Sequence, residues 1–136
     1  MKIIVCLDDK NGMLFHNRRQ SKDRVLIEKV LELTQDSTLW MHSYSQTLFD
    51  RTLDKICVDD CFLEKAGQGE YCFVENADVA PYNASVEELI VFRWNRIYPA
   101  DLYFPIELLN DFQKRDEIFS FSGNSHDKIT VEVYDK

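Results

Sequence analysis

At 136 residues the chain has the length of one domain, long enough to bury roughly two-thirds of its unfolded surface without disulfides or metals. An apolar fraction of 45% and an aromatic fraction of 12%, with four Gly and three Pro, exclude an intrinsically disordered chain. Sixteen Lys and Arg against 24 Asp and Glu leave a net charge of −8, a field that disfavours nucleic acid and anionic lipid as partners.

Lys2 to Leu7 is a near-continuous apolar run rich in β-branched residues, ending in Asp8-Asp9-Lys10-Asn11-Gly12. It reads as a central strand buried on both faces, closed by an Asn-Gly turn, and so favours an α/β sandwich of layers. The run is too short for the apolar region of a signal peptide, and no later segment approaches a membrane span; the expected location is the cytoplasm. Polar Asn17 to Asp23 follows, with Ser21 placed to cap a helix over 22–34 whose apolar face carries Val25, Leu26, Val30 and Leu33. Residues 34–37 stop it, and Thr38 to Met41 is a short buried strand. That strand should run parallel to the first.

Ser43 and Gln46 have the spacing of a capping box, which opens a helix at 44–53. A strand near Ile56 to Val58, a stretch without clear period at 59–66, a turn at 67–69 and a strand at Tyr71 to Val74 come next. Residues 76–86 are irregular, with Ser85 capping a turn before the buried strand Leu89 to Phe92. Leu102 to Phe104 reads as a strand reached through Pro99. Ile118 to Ser122 and Ile129 to Tyr134 alternate around Gly123-Asn124-Ser125, the pattern of an antiparallel hairpin. The whole is one domain, residues 1–136. Its expected fold is α/β: three layers around a mixed, mainly parallel sheet with a C-terminal antiparallel hairpin.

The order of these elements resembles the dihydrofolate reductase superfamily. IIVCLDDKNGMLFHN resembles the family's first strand and the loop over its active site, and SKDRVLIEK its first long helix. STLWMHSYSQTLF is similar to the next strand and helix start, ELIVFRWNRIY to the strand entering the glycine-rich cofactor turn, and FSFSGNSHDKITVEVYDK to the closing hairpin. The resemblance implies a nicotinamide-nucleotide reductase with Asp23 near the family's substrate-protonating carboxylate. It also places Arg93, Trp94 and Asn95 where the family has glycines, and His42-Ser43 where it has Gly-Arg. Three bulky residues in a turn that must approach a dinucleotide closely imply a blocked cleft, with Trp94 as its plug. No cofactor is expected. Similar short bacterial chains are labelled ribonuclease Z, but that two-zinc chemistry uses an H-x-H-x-D-H cluster. His16, His42 and His126 are far apart in sequence.

Three cations in Asn17-Arg18-Arg19-Gln20-Ser21-Lys22, just before a helix, suggest a seat for phosphate or carboxylate formed by Asn17, Arg18, Arg19, Ser21 and backbone amides. The competing expectation is pairing with surface acids. Ser43 and Ser45 open a second helix, although the capping box already accounts for them. Asp23 is a candidate acid if an apolar pocket desolvates it, or simply a favourable charge in the helix's first turn. The cysteines Cys6, Cys57, Cys61 and Cys72 lack the spacing of a four-ligand zinc site, so no metal is expected. The leading functional expectation is a non-catalytic binding or regulatory protein for a phosphate- or carboxylate-bearing small molecule. The alternatives are a nucleotide-dependent reductase using Asp23, and a structural subunit forming a homo-oligomer through an exposed sheet edge.

Overall fold

The computed structural model describes residues 1–49 and 53–136. β1 (Lys2–Leu7) lies at the centre of the sheet, and its side chains divide between two cores. Ile3, Val5 and Leu7 face one, whereas Ile4 and half-buried Cys6 face the other. This is why the run shows no alternation: both faces are covered.

After β1, Asn11 takes the left-handed conformation (φ 64°) that the Asn-Gly turn requires. The chain then makes a small hairpin, β2 (Gly12–Phe15) and β3 (Arg18–Arg19), that the sequence reading did not include. His16 and Asn17, at φ 50° and 62°, form its two-residue turn with both central residues left-handed. Gly12 is held close: a β-carbon there would sit 2.7 Å from Ala100 Cβ and 2.6 Å from Gln20 Nε2. Gly12→Ala is expected to cost about 1–3 kcal/mol in urea denaturation, and an unchanged midpoint would contradict this packing.

The first long helix, α1 (Arg24–Leu33), is shorter than the 22–34 expected, and its cap is Asp23 rather than Ser21. Asp23 adopts extended backbone angles and accepts the Val25 and Leu26 amides, which a carboxylate does at least as well as a hydroxyl. Leu26, Ile27, Val30 and Leu31 form its buried face, while Leu33 is exposed. β4 (Leu39–Met41) follows, then a single turn of helix, α2 (Ser43–Gln46). Its cap is His42, whose Nδ1 accepts the Tyr44 amide, so the expected capping box does not form. Helix stops at Gln46 and residues 47–49 are turn and bend; the rest of the expected 44–53 helix includes residues 50–52, outside the described ones.

β5 (Ile56–Val58), α3 (Phe62–Lys65) and β6 (Tyr71–Val74) come next, and a 3₁₀ turn over Ala80–Ser85 occupies the irregular stretch. β7 (Glu88–Arg93) leads to β8 (Leu102–Tyr103), α4 (Ile106–Asp111), β9 (Gln113–Lys114), and the hairpin of β10 (Phe119–Phe121) and β11 (Ile129–Asp135). Among the described residues the main sheet has eight strands in the order β10-β11-β7-β1-β6-β4-β5, with β9 also on β11. β7, β1, β6, β4 and β5 are parallel, and β11 is antiparallel to β7, β10 and β9. The strand–helix–strand unit is thus parallel as expected, with β6 inserted between its strands. β2, β3 and β8 form a second small sheet.

α1 covers one face of the main sheet together with Phe49 and Trp94; α3, Val79, Phe104 and α4 cover the other. The carboxyl ends of the five parallel strands all open toward one edge of these layers. That edge is where an open α/β sheet takes its ligands.

Candidate functional site

A cleft of about 1210 Å³ opens where β3, the first turns of α1, α2 and the β10–β11 turn converge. The short β2–β3 hairpin delivers Arg18 and Arg19 to its rim, the segment before α1 adds Lys22, and the first residue of α1 adds Arg24. Ile27, Leu48 and Tyr44 give it an apolar wall, with Asp23 and Glu28 as its carboxylates. Four cations therefore face two acids in a protein whose net charge is −8.

The cations are not equivalent. Arg19 is committed internally: its Nε and Nη2 reach Glu75 at 2.9 and 3.1 Å, and its guanidinium lies 4.4 Å from the centre of the Tyr44 ring. Its backbone N–H donates to the Tyr44 hydroxyl at 2.8 Å. Arg19 is thus a strut between β3, α2 and the end of β6. Arg24 donates to Asn124 Oδ1 at 3.2 Å. Arg18 and Lys22 are exposed and make no ion pair among the described residues. Asn17 serves the hairpin turn and does not line the cleft.

Asp23 forms the floor. It is 3% exposed, and both carboxylate oxygens are saturated. Oδ1 accepts the amides of Val25, Leu26 and Asn124; Oδ2 accepts the Ser125 amide at 2.8 Å and lies 3.2 Å from His126 Nδ1. Burial opposes its charge, but the Asn124 and Ser125 amides, His126 and the Leu26 amide outweigh burial and hold its pKa far below the ordinary carboxylate range. A carboxylate in that state is an anchor and not a proton donor at neutral pH. The α1 amides that it occupies are likewise closed to an external anion. Gly123 approaches so closely that a β-carbon would collide with this carboxylate and come within 2.9 Å of the His126 carbonyl.

His126 is also buried, at 4% exposure, and stacks on Trp94 with ring centres 4.5 Å apart. Its Nε2 lies 3.2 Å from Ser21 Oγ and 2.9 Å from Tyr98 Oη. Nothing local in the sequence joins His126 to Asp23, which is 103 residues away. A second buried carboxylate, Asp8, ties the β1 turn to the rest: it accepts the Lys10, Gly12 and Tyr98 amides and the Gln20 side chain. Burial opposes its charge too, and those donors again win, lowering its pKa.

Ser43 and Ser45 do not join the cleft. Ser43 donates to Asp60 from both hydroxyl and amide, and Ser45 is buried with no hydrogen-bond partner for its hydroxyl. Arg93 ends β7 and Trp94 and Asn95 follow it; Arg93 and Trp94 turn inward, whereas Asn95 is exposed. Arg93 reaches Glu132 and the Asp8 carbonyl, Trp94 is 4% exposed, and Asn95, at φ 60°, donates to the Lys128 carbonyl and Thr130. They are not beside His42-Ser43. β1 and β6 separate β7 from β4, a span of about 14 Å at the usual strand spacing. The residues next to His42 at the carboxyl ends are those after β6. Here a pocket of about 280 Å³ is lined by His42, Asp60, Glu64, Asn76, Asp78 and neighbours. His16 stacks on Phe15 in the hairpin, so the three histidines lie in three different places. Among the described residues no three His, Cys, Asp or Glu side chains are grouped to hold a metal.

These layers and this strand order define a three-layer α/β fold built on a mixed, mainly parallel sheet. The chain has a dihydrofolate-reductase-like fold. Dihydrofolate reductase from Enterococcus faecalis, solved in complex with NADP(H) and RAB-propyl, is similar to it over 98% of this chain and 94% of that one, with a TM-score of 0.67 and 10% sequence identity. At that identity the likeness shows fold alone. No family model matches the sequence, and no curated protein does. Among the described residues no helix is long and apolar enough to cross a membrane.

Proposed function

We propose that this protein binds a small phosphate- or carboxylate-bearing molecule in the cationic cleft and does not carry out hydride transfer. One observation supports this above all: Arg18 and Lys22 stand at the rim of a large, partly apolar cleft with no carboxylate partner among the described residues, although the chain has a surplus of acids. Unpaired cations over an apolar wall suit an anionic head with an organic body.

The crevice at the carboxyl ends of β4 and β6 argues against a dinucleotide. Asp60, Glu64 and Asp78 line its pocket, while Glu75, directly after β6, is paired with Arg19. Pyrophosphate placed there meets like charge, which costs affinity at short range. The reductase alternative also needs an acid, and Asp23 is held as a fully hydrogen-bonded carboxylate.

Thermal shift tests both parts. Inorganic phosphate is expected to raise the melting temperature of the native chain, because a ligand that binds the folded state stabilises it. The double variant Arg18→Ala/Lys22→Ala should lose that response while keeping its own melting temperature near that of the parent. An equal phosphate response in the variant would remove the cleft from consideration. Stabilisation by NADPH, with its oxidation by the pure protein, would restore the reductase.

A further inference from the structure

We propose that Ser21 is a nucleophilic serine, activated by His126 and Asp23, that cleaves acyl esters carrying a negative charge. The proposal takes only the charge of its substrate from the anion-binding reading above. Three side chains stand in hydrogen-bonded order: Asp23 Oδ2 lies 3.2 Å from His126 Nδ1, and His126 Nε2 lies 3.2 Å from Ser21 Oγ. The carboxylate and imidazole are buried, at 3% and 4% exposure, while Ser21 is half-buried and lines the cleft. An orienting acid and a base inside, with the hydroxyl at the surface of a cavity, is the arrangement that serine acyl transfer uses on unrelated folds.

Each group has a constraint that fixes its role. Asp23 is an acceptor only, so the hydrogen between it and the ring resides on Nδ1, and in the neutral ring Nε2 then carries the lone pair that faces Ser21 and Tyr98. Ring orientation is fixed by the face of Trp94 and by the turn at Gly123, whose amide donates to the His126 carbonyl at 2.9 Å. In the reaction Nε2 takes the Ser21 proton as Oγ bonds to the ester carbonyl carbon. The tetrahedral adduct then collapses, the carbon–alkoxide bond breaks, and the imidazolium returns its proton to the departing alcohol. Water repeats the sequence on the acyl-serine, releasing the acid and the free hydroxyl. Lys22 and Arg24 line the same cleft and favour the negative charge of both adducts. Arg18 and Lys22 favour a substrate whose acyl part ends in carboxylate or phosphate.

Tyr98 Oη, 2.9 Å from Nε2, shares the lone pair with Ser21 and sets up a discriminating variant. The probe is diisopropyl fluorophosphate, read by intact mass and peptide mapping. One adduct on Ser21 is expected, absent from Ser21→Ala. His126→Gln is expected to slow labelling by about 100-fold or more. Tyr98→Phe, which leaves Nε2 to Ser21 alone, is expected to label faster than the native chain. With p-nitrophenyl esters, the hemisuccinate should be hydrolysed at least about tenfold more efficiently than the acetate. No adduct, an adduct that persists in Ser21→Ala, or labelling abolished in Tyr98→Phe would each overturn the proposal. If His126→Gln does not fold, Ser21→Ala and Tyr98→Phe decide it, since each removes only a hydroxyl. Phosphate stabilisation retained in Ser21→Ala separates failure of this chemistry from failure of the anion site.

Discussion

Asp23→Asn is expected to lower the free energy of unfolding by about 3 kcal/mol, the scale seen when one partner of a buried charged network is removed. The carboxylate accepts four amides and faces His126, and an amide group puts N–H against donors it cannot satisfy. It joins the start of α1 to the β10–β11 turn, so the loss is felt at two elements at once. The native state holds Asp23 and Asp8 ionised at pH values where the unfolded chain has begun to protonate them. Unfolded chain therefore binds more protons in that window, and stability falls as pH drops below about 4 toward the lowered native values. Above the unfolded value the contribution is fully present. Asp23→Asn should flatten this acid limb and leave the part due to Asp8 and the other carboxylates with lowered values, Glu132 and Glu87 among them. Urea midpoints from pH 2.5 to 7 measure both effects. Identical acid limbs in parent and variant would show that the Asp23 hydrogen bonds do not govern its titration.

The main sheet was legible because its strands carry their own signal. β1 and β7 are continuous apolar runs, and β10 and β11 alternate about a Gly-Asn-Ser turn, so buried and half-buried strands could be told apart from residues alone. The elements that escaped are short and specified by contacts. The β2–β3 hairpin depends on His16 and Asn17 accepting left-handed backbone, a weaker cue than Asn-Gly. α4 follows Pro105, and its buried Leu108 shares a face with Phe112 four residues on, a single helical repeat too short to mark an element in the stretch left unassigned after Phe104. Three positive charges near a helix start were enough to mark Arg18 as a candidate, and it lines the cleft. Nothing local showed that Arg19 would be spent on Glu75, 56 residues away, or that Arg24 would line the same wall. Ser21, the hydroxyl expected to cap α1, instead turns to His126, because Asp23 two residues later makes the stronger cap.

Trp94→Ala is expected to destabilise the protein by about 3–5 kcal/mol, the usual cost of deleting a buried indole. Its ring fills the space between β7, β11 and α1 and gives His126 its stacking face, so the cavity opens beside the Asp23–His126 pair. Trp94→Phe keeps an aromatic face and should recover much of the loss. The same pair of variants separates two reasons for a chain of this fold to refuse a dinucleotide. If bulk at 93–95 is the barrier, deleting the indole should admit NADPH. The strand order argues otherwise, because β1 stands between Trp94 and the end of β6, and β1 and β6 both stand between Trp94 and the end of β4. Removing Trp94 leaves Asp60, Glu64 and Asp78 in place, and their repulsion of pyrophosphate does not depend on the indole. Thermal shift of Trp94→Ala with NADPH should therefore match that of the parent. Stabilisation seen only in Trp94→Ala would return the barrier to sterics at β7 and withdraw the electrostatic argument.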